Sequence, residues 1–250
     1  MSARRAERPA DGRARESART TVPLLAVIVG NTQTVIGRFM GAELEETWRI
    51  TSGSTTAVLS SVVPSLTRPW LEALRAVTGR DAFEVTSANS PIALDVTEPD
   101  SVGPDRIANA LAGRALHGSP CIVVDFGTAT NFDCVSKQGA FVGGAIAPGF
   151  AISSDELIRR AARLSNIELR RPERAVARTT AENLRVGVLW GHAGMVDALV
   201  RRMKSELGGR PKVIATGGLA RMVAPECETV DLVDVGLTLK GLHLLWEAQR

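Results

Sequence analysis

Apolar positions along the chain fall into two kinds of run. From Val22 the runs have the length and spacing of strands: VPLLAVIV (22–29), then VIGRFM (35–40) after the turn GNTQT, then stretches around EETWRIT (45–51) and TAVLSSVVP (56–64). Trp70, Leu71, Leu74 and Val77 next recur at helical spacing in TRPWLEALRAVTG (67–79), which Gly79 ends. After a polar, Pro-containing stretch, DRIANALAGRAL (105–116) reads as a second helix. At Cys121 the strand pattern restarts: PCIVVDFGTATNFDCVSKQGAFVGGAIAPG (120–149) is strand, turn, strand, Gly-containing turn, strand. The remainder predicts a helix SSDELIRRAARL (153–164), one long helix from Thr180 to Gly208, a strand and turn KVIATGGLA (212–220), and a closing helix LTLKGLHLLWEAQ (237–249).

The restart makes the second half a repeat of the opening, with turn glycines at Gly30 and Gly127. That period is far too long for a solenoid and predicts a duplicated α/β half. Strands alternating with helical runs predict a mixed sheet with packed helices in each of two similar lobes, residues 21–117 and 118–250, facing each other across a cleft. Ligands of such open sheets bind beyond the strand ends, which assigns both glycine turns to the cleft.

Composition removes several classes. The chain is 44% hydrophobic and 23% charged, ordinary for a folded domain. No apolar run reaches the roughly 18 residues of a membrane span. The net charge of +3 comes from residues 1–20, where six Arg face three acids; the rest of the chain holds 24 basic and 24 acidic residues. A neutral body argues against a nucleic-acid partner. The Arg-, Ala- and Ser-rich tail at 1–20 lacks large apolar side chains, so it is expected to be disordered, and it lacks the apolar core of a secretory signal. Cys121, Cys134 and Cys227 form no CxxC pair and sit among apolar neighbours, as free thiols of a reducing cytoplasm would. His117, His192 and His243 are scattered in helical contexts and are expected to be core or surface residues.

Candidate chemistry concentrates in the turns. GNTQT and GTATN (127–131) each combine a glycine, which permits close backbone approach, with hydroxyls and amides that donate to phosphate oxygens. A single Gly-Thr turn means little; two at matching places in two half-repeats, with a third at TGGLA (216–220), point to a phosphate site. Asp105 and Arg106 in GPDRIANALAG (103–113) stand at a predicted helix start, where exposed amides favour an anion and a carboxylate is placed to act as a base. The competing reading is that Asp105 caps the helix and Arg106 is solvated.

The segments GNTQTVIG, SSVVP, VGPDRIANALA, IVVDFGTATNFDCVS, GAFVGGAIAPG, RPERAVARTTAENLRVG, KVIATGGLA and LTLKGL occur in this order and resemble those of type III pantothenate kinases. The resemblance covers nearly the whole chain apart from the tail. It implies the actin-like, ribonuclease H-like fold of the sugar-kinase and Hsp70-like superfamily, and transfer of the ATP γ-phosphate to the hydroxyl of pantothenate in coenzyme A biosynthesis. It further implies that Asp105 is the general base and that Gly103, Pro104, Arg106 and Thr180 contact pantothenate. Gly30, Asn31, Thr32, Gln33, Thr34 and Thr128 would hold ATP. Asp125 would bind a monovalent cation, potassium or ammonium, and magnesium would accompany the nucleotide. The implied assembly is a cytoplasmic homodimer, to which Leu184, Val188, Leu189, Val196, Leu199 and Met203 on the predicted long helix would contribute apolar surface.

Four positions depart from the family pattern. Ile28 replaces an Asp near the metal and phosphates, Gln33 replaces Asn, Pro104 replaces Ala, and Val96 stands near an expected Tyr in a chain that contains none. Losing one electrostatic contributor to a charged transition state costs about 3 kcal/mol. The departures therefore raise two rivals, a weakly active or inactive regulatory homologue that keeps the fold, and a kinase for a different small alcohol.

Overall fold

The structure is a computed structural model. It describes three strands within residues 24–51, then residues 56–160 and 170–250, with side chains described from residue 56 onward except at 158 and 160. The tail at 1–20, the turn residues Gly30, Asn31 and Thr32, and the end of the helix expected at 153–164 lie outside the described residues.

Strands β1 (Leu24–Val29), β2 (Gln33–Met40) and β3 (Glu43–Thr51) form an antiparallel sheet in the order β1-β2-β3. Ile28 pairs with Val35 and Val29 with Thr34, so the GNTQT turn connects adjacent strands, and a register shift falls between Arg38 and Phe39. This sheet belongs to one compact unit; Thr56–Ala76 and Arg80–Arg250 form another.

In the second unit, the stretch expected to be a strand at 56–64 contributes only β4 (Val58–Leu59), because Pro64 starts helix α1 (Pro64–Thr78). β4 pairs in parallel with β5 (Phe83–Glu84). Helix α2 (Pro104–Ala112) follows, prolonged by a π-helical turn at 113–117. Then β6 (Cys121–Phe126), β7 (Ala129–Val135) and β8 (Phe141–Pro148) form an antiparallel meander, and helix α3 (Phe150–Arg160) follows. The single long helix expected from Thr180 is interrupted: α4 (Thr180–Arg185) passes through a π-helical turn at 186–190 into α5 (Gly191–Leu207). The wider turn re-phases the apolar stripe, burying Leu189 while Trp190 Nε1 donates to Glu226 Oε2 at 2.8 Å. β9 (Lys212–Thr216), α6 (Ala220–Val223), β10 (Leu232–Val233) and α7 (Leu237–Glu247) complete the chain.

β10, β9, β6, β7 and β8 make a five-stranded mixed sheet in that order, with β6 central and parallel to β9. The α/β class expected from the sequence is therefore observed. Both faces of β6 are covered, as its unbroken apolar run CIVV requires. Cys121 and Val123 point into a core with Ile107 and Leu111 of α2 and Leu237 and Leu245 of α7. Ile122, Val124 and Phe126 join Val196 and Val200 of α5 on the opposite face. α2 and α7 meet backbone to backbone: a side-chain carbon at Gly241 would stand 2.1 Å from the Ala108 carbonyl oxygen. Leu189 and Val196, two of the residues assigned to surplus apolar surface, are core residues of this unit, whereas Leu184, Val188, Leu199 and Met203 stay half-buried.

The loop before β10 is tied to α5 by one buried carboxylate. Asp197 accepts from the Glu228 and Thr229 amides, both at 2.9 Å, and from the Thr229 hydroxyl at 2.6 Å. Asp197→Asn turns one acceptor into a donor facing a donor, so we expect a loss of about 2 kcal/mol in urea unfolding; a variant as stable as wild type would contradict these bonds.

Cys121 and Cys134 are free thiols buried as expected and Cys227 is a half-buried one, each pushed up to about 12 chiefly by burial. His192 is buried with Nε2 3.0 Å from Thr130 Oγ1, and burial lowers its pKa. His243 is exposed on α7, and both fit the expected core or surface histidine. Among the described residues no helix is long and apolar enough to cross a membrane.

Candidate active site

Alternation along β6 that sends Ile122, Val124 and Phe126 to the α5 side puts Asp125 on the α2 side, at the strand's C-terminal end. Asn131 of β7 and Thr216 of β9 are its direct neighbours across the sheet, so the three side chains share a face. Asp133, two residues on from Asn131, shares that face and is fully buried.

Helix α2 starts above this row. Gly103 is its N-cap, Pro104 its first residue, and Asp105 its only first-turn acid. Pro104 suits the position, since the missing N–H would have no helical partner there. Asp105 is therefore not the cap. Its Oδ1 accepts from the Arg106 amide at 2.9 Å and folds back over Gly103, where an added side-chain carbon would stand 2.5 Å from it. No other side chain holds Asp105 among the described residues.

Arg106 beside it and Asn109 about one turn further along α2 reach the carboxylates of the sheet. Arg106 Nε donates to Asp133 Oδ1 at 2.6 Å and Nη2 donates to the Phe132 carbonyl at 3.2 Å, with the guanidinium 5.3 Å from the Phe141 ring centroid. Asn109 is fully buried, and its Nδ2 donates to Asp125 Oδ2 at 3.1 Å and to Asp133 Oδ2 at 3.3 Å. Thr238 of α7 donates to Asn109 Oδ1 at 2.7 Å, which orients the amide so that its NH2 faces both carboxylates.

Burial pushes the Asp133 carboxyl up to about 7; Arg106 and Asn109 pull it back, and the charge of Asp105 adds to the rise. Asp125 is raised by burial too, with Asn109 opposing and Asp105 adding. Three carboxylates thus share one electrostatic environment, and Arg106 is the cation among them.

The turn after Asp125 is enclosed by glycines. Gly217 has φ +93°, and a side-chain carbon there would stand 2.3 Å from Asp125 Oδ1 and 2.7 Å from the Phe126 carbonyl oxygen. At Gly149 such an atom would be 2.0 Å from the Thr128 carbonyl oxygen. The TGG turn expected to join the phosphate site is therefore packed on the GTAT turn, and Thr128 is exposed there. Beside Asp125, Thr216 Oγ1 and Asn131 Oδ1 are buried with no hydrogen-bond partner among the described residues.

Of the residues the sequence points to, Gly103, Pro104, Asp105, Arg106 and Asp125 come together in this cluster. Thr180 is exposed at the first position of α4, behind the N-cap Thr179, whose Oγ1 accepts from the Glu182 amide at 3.2 Å. Gln33 and Thr34 lie in β2 of the other unit. Asn131 and Thr216 fall within the turns GTATN and TGGLA, whereas Asn109, Asp133 and Thr238 were not anticipated. A signal for two of them exists: Asn109 and Asp133 are polar residues inside apolar runs, RIANALA and TNFDCV, and a buried polar residue is more informative than an exposed apolar one.

The type III pantothenate kinase family pattern matches residues 51–202. The type III pantothenate kinase of Moorella thermoacetica is 40% identical over 252 residues, covering 90% of this chain and 98% of the relative. That of Frankia alni is 41% identical over 248 residues, with 90% and 98% covered. A Campylobacter jejuni crystal structure assigned to the Baf family of transcriptional activators shares the fold at a TM-score of 0.55 and 19% identity, over 90% of this chain and 98% of that one. With such identity running the full length of its relatives, this chain belongs to the type III pantothenate kinase family.

Proposed function

We propose that the protein is an ATP-dependent pantothenate kinase, transferring the γ-phosphate of ATP to the primary hydroxyl of pantothenate. The observation that carries this is the start of α2, where Asp105 is held by a single backbone amide beside Arg106 and shares an electrostatic environment with Asp125 at the glycine-lined turn.

Asp105 accepts the proton of the acceptor hydroxyl as that oxygen attacks the γ-phosphorus. Gly103, Pro104, Arg106 and Thr180 hold pantothenate, with the guanidinium directed at its carboxylate. Gly30, Asn31, Thr32, Gln33, Thr34 and Thr128 hold the ATP phosphates. Magnesium bound with the nucleotide would supply neutralisation of the charge on the phosphoryl oxygens.

A potassium or ammonium ion is assigned to Asp125. The unpartnered buried oxygens of Thr216 and Asn131 beside it support this, since such atoms belong where an ion or water is held. The set is one carboxylate and two neutral oxygens, which suits a hard monovalent cation. A cytoplasmic homodimer completes the proposal, supported by the half-buried Leu199 and Met203, which line a groove of about 630 Å³ between α5 and β7–β8.

The rivals, a non-catalytic homologue or a kinase for another alcohol, are not favoured against relatives named for pantothenate kinase at 40% identity. A coupled assay of ADP release with magnesium and potassium supplied is the test. Release dependent on pantothenate is expected; release with another small alcohol alone, or none with any acceptor, would refute the proposal.

A further inference from the structure

We infer that Asp133, held through Asn109 by Thr238, is a positioning residue that fixes which edge of Arg106 meets the acceptor. This rests on the kinase reading above and adds to it a set of residues with no contact to substrate.

A guanidinium offers two paired edges to planar anions: a side edge, Nε with Nη2, and an end edge, Nη1 with Nη2. In Arg106 the side edge is occupied, Nε by Asp133 Oδ1 and Nη2 by the Phe132 carbonyl. Nη1 has no partner among the described residues, and the side chain is 16% exposed while that of Asp133 is 0% exposed. The end edge is therefore what remains for a carboxylate arriving from solvent. Gly144 leaves room for the side-edge bond, because a side-chain carbon there would stand 1.7 Å from the Phe132 carbonyl oxygen and 3.4 Å from Arg106 Nη2.

Asp133 is itself oriented. Its second oxygen accepts from Asn109 Nδ2, and the Thr238 hydroxyl pins Asn109 Oδ1, so the amide does not turn over. The same Nδ2 reaches Asp125. One buried amide thereby ties the acceptor-binding arginine to the carboxylate at the phosphate turn, and α7 holds that amide from behind.

The test compares wild type with Asp133→Asn, Thr238→Val and Thr238→Ser, using pantothenate and an analogue whose carboxylate is converted to a neutral amide. We expect Asp133→Asn to raise KM and the calorimetric Kd for pantothenate ~10-fold or more, with KM for ATP and kcat changed less than ~3-fold. The analogue should show no such penalty. Thr238→Val should give a smaller shift of the same kind and Thr238→Ser should reverse it, which a purely structural role would not do. A folded Asp133→Asn protein that binds pantothenate as wild type does, or loses equally with both acceptors, overturns the inference. If Asp133→Asn does not fold, the Thr238 pair decides by the same criteria. Wild-type protein that binds no pantothenate at all refutes the kinase reading, whereas tight wild-type binding with insensitive variants refutes only this inference.

Discussion

Asp105→Asn should lower turnover with pantothenate about 10²- to 10⁴-fold, the range spanned by loss of a positioned general base. The substitution is close to isosteric, and an amide oxygen still accepts from the Arg106 N–H that Asp105 Oδ1 now engages. The fold should not suffer. Asp105 raises the carboxyl pKa values of both Asp125 and Asp133 through its charge, so removing that charge relieves repulsion rather than adding to it. Stability is expected within about 0.5 kcal/mol of wild type, and pantothenate binding should persist because Arg106 is untouched. Kinetics and urea unfolding on the same preparation check both halves. Unchanged kcat in a folded variant would remove Asp105 from the base role and leave it as a polar residue at a helix start.

The second large effect concerns the other half-repeat. In VIVGNT the residue two before the turn glycine is Ile28; in VDFGTA it is Asp125. Ile28 is in β1 opposite Val35, one residue from the strand's end. An isoleucine side chain neither ligates magnesium nor orders water around a triphosphate. Ile28→Asp should therefore raise phosphoryl transfer to pantothenate ~10-fold or more, towards the 10²- to 10³-fold that one electrostatic contributor supplies. An unpaired carboxylate among apolar neighbours also costs a few kcal/mol. Thermal melts of the variant separate the outcomes: stabilisation by magnesium and ATP beyond that of wild type means the new carboxylate has found the metal. A folded variant with no gain in rate or ATP affinity would show that Ile28 does not limit this enzyme.

Much of the architecture was readable from periodicity. The strand–turn–strand restart at Cys121, the helix expected from Asp105 and found to begin at Pro104, and the closing helix at Leu237 follow from apolar spacing and local punctuation, because these elements bury a face whose repeat is fixed by strand or helix geometry. The interruption at 186–190 was not readable. Its sequence VGVLW continues an apolar stripe, and only packing of Leu189 into the core and the Trp190–Glu226 bond select the wider turn. The strand expected at 56–64 shrank to Val58–Leu59 because Pro64 starts helix α1 and its partner β5 supplies only two residues to the ladder.

The candidate site divides along the same line. Asp105, Arg106 and Asp125 stand in recognisable local motifs, a carboxylate at a helix start and another before a glycine turn, but taken alone the first reads as a helix cap, and their roles came with the family resemblance. Nothing local reveals that Arg106 is paired with Asp133, 27 residues away, or that Asn109 is held by Thr238, 129 residues away. The sequence by itself determined the α/β class and the mismatch between Ile28 and Asp125 in the two half-repeats, since both depend on short-range order along the chain. Only the tertiary structure decided which edge of Arg106 is open and which buried amide joins two carboxylates. Those outcomes depend on strand order β9-β6-β7 and on α2 crossing α7 at Gly241, long-range contacts that spacing within a segment does not encode.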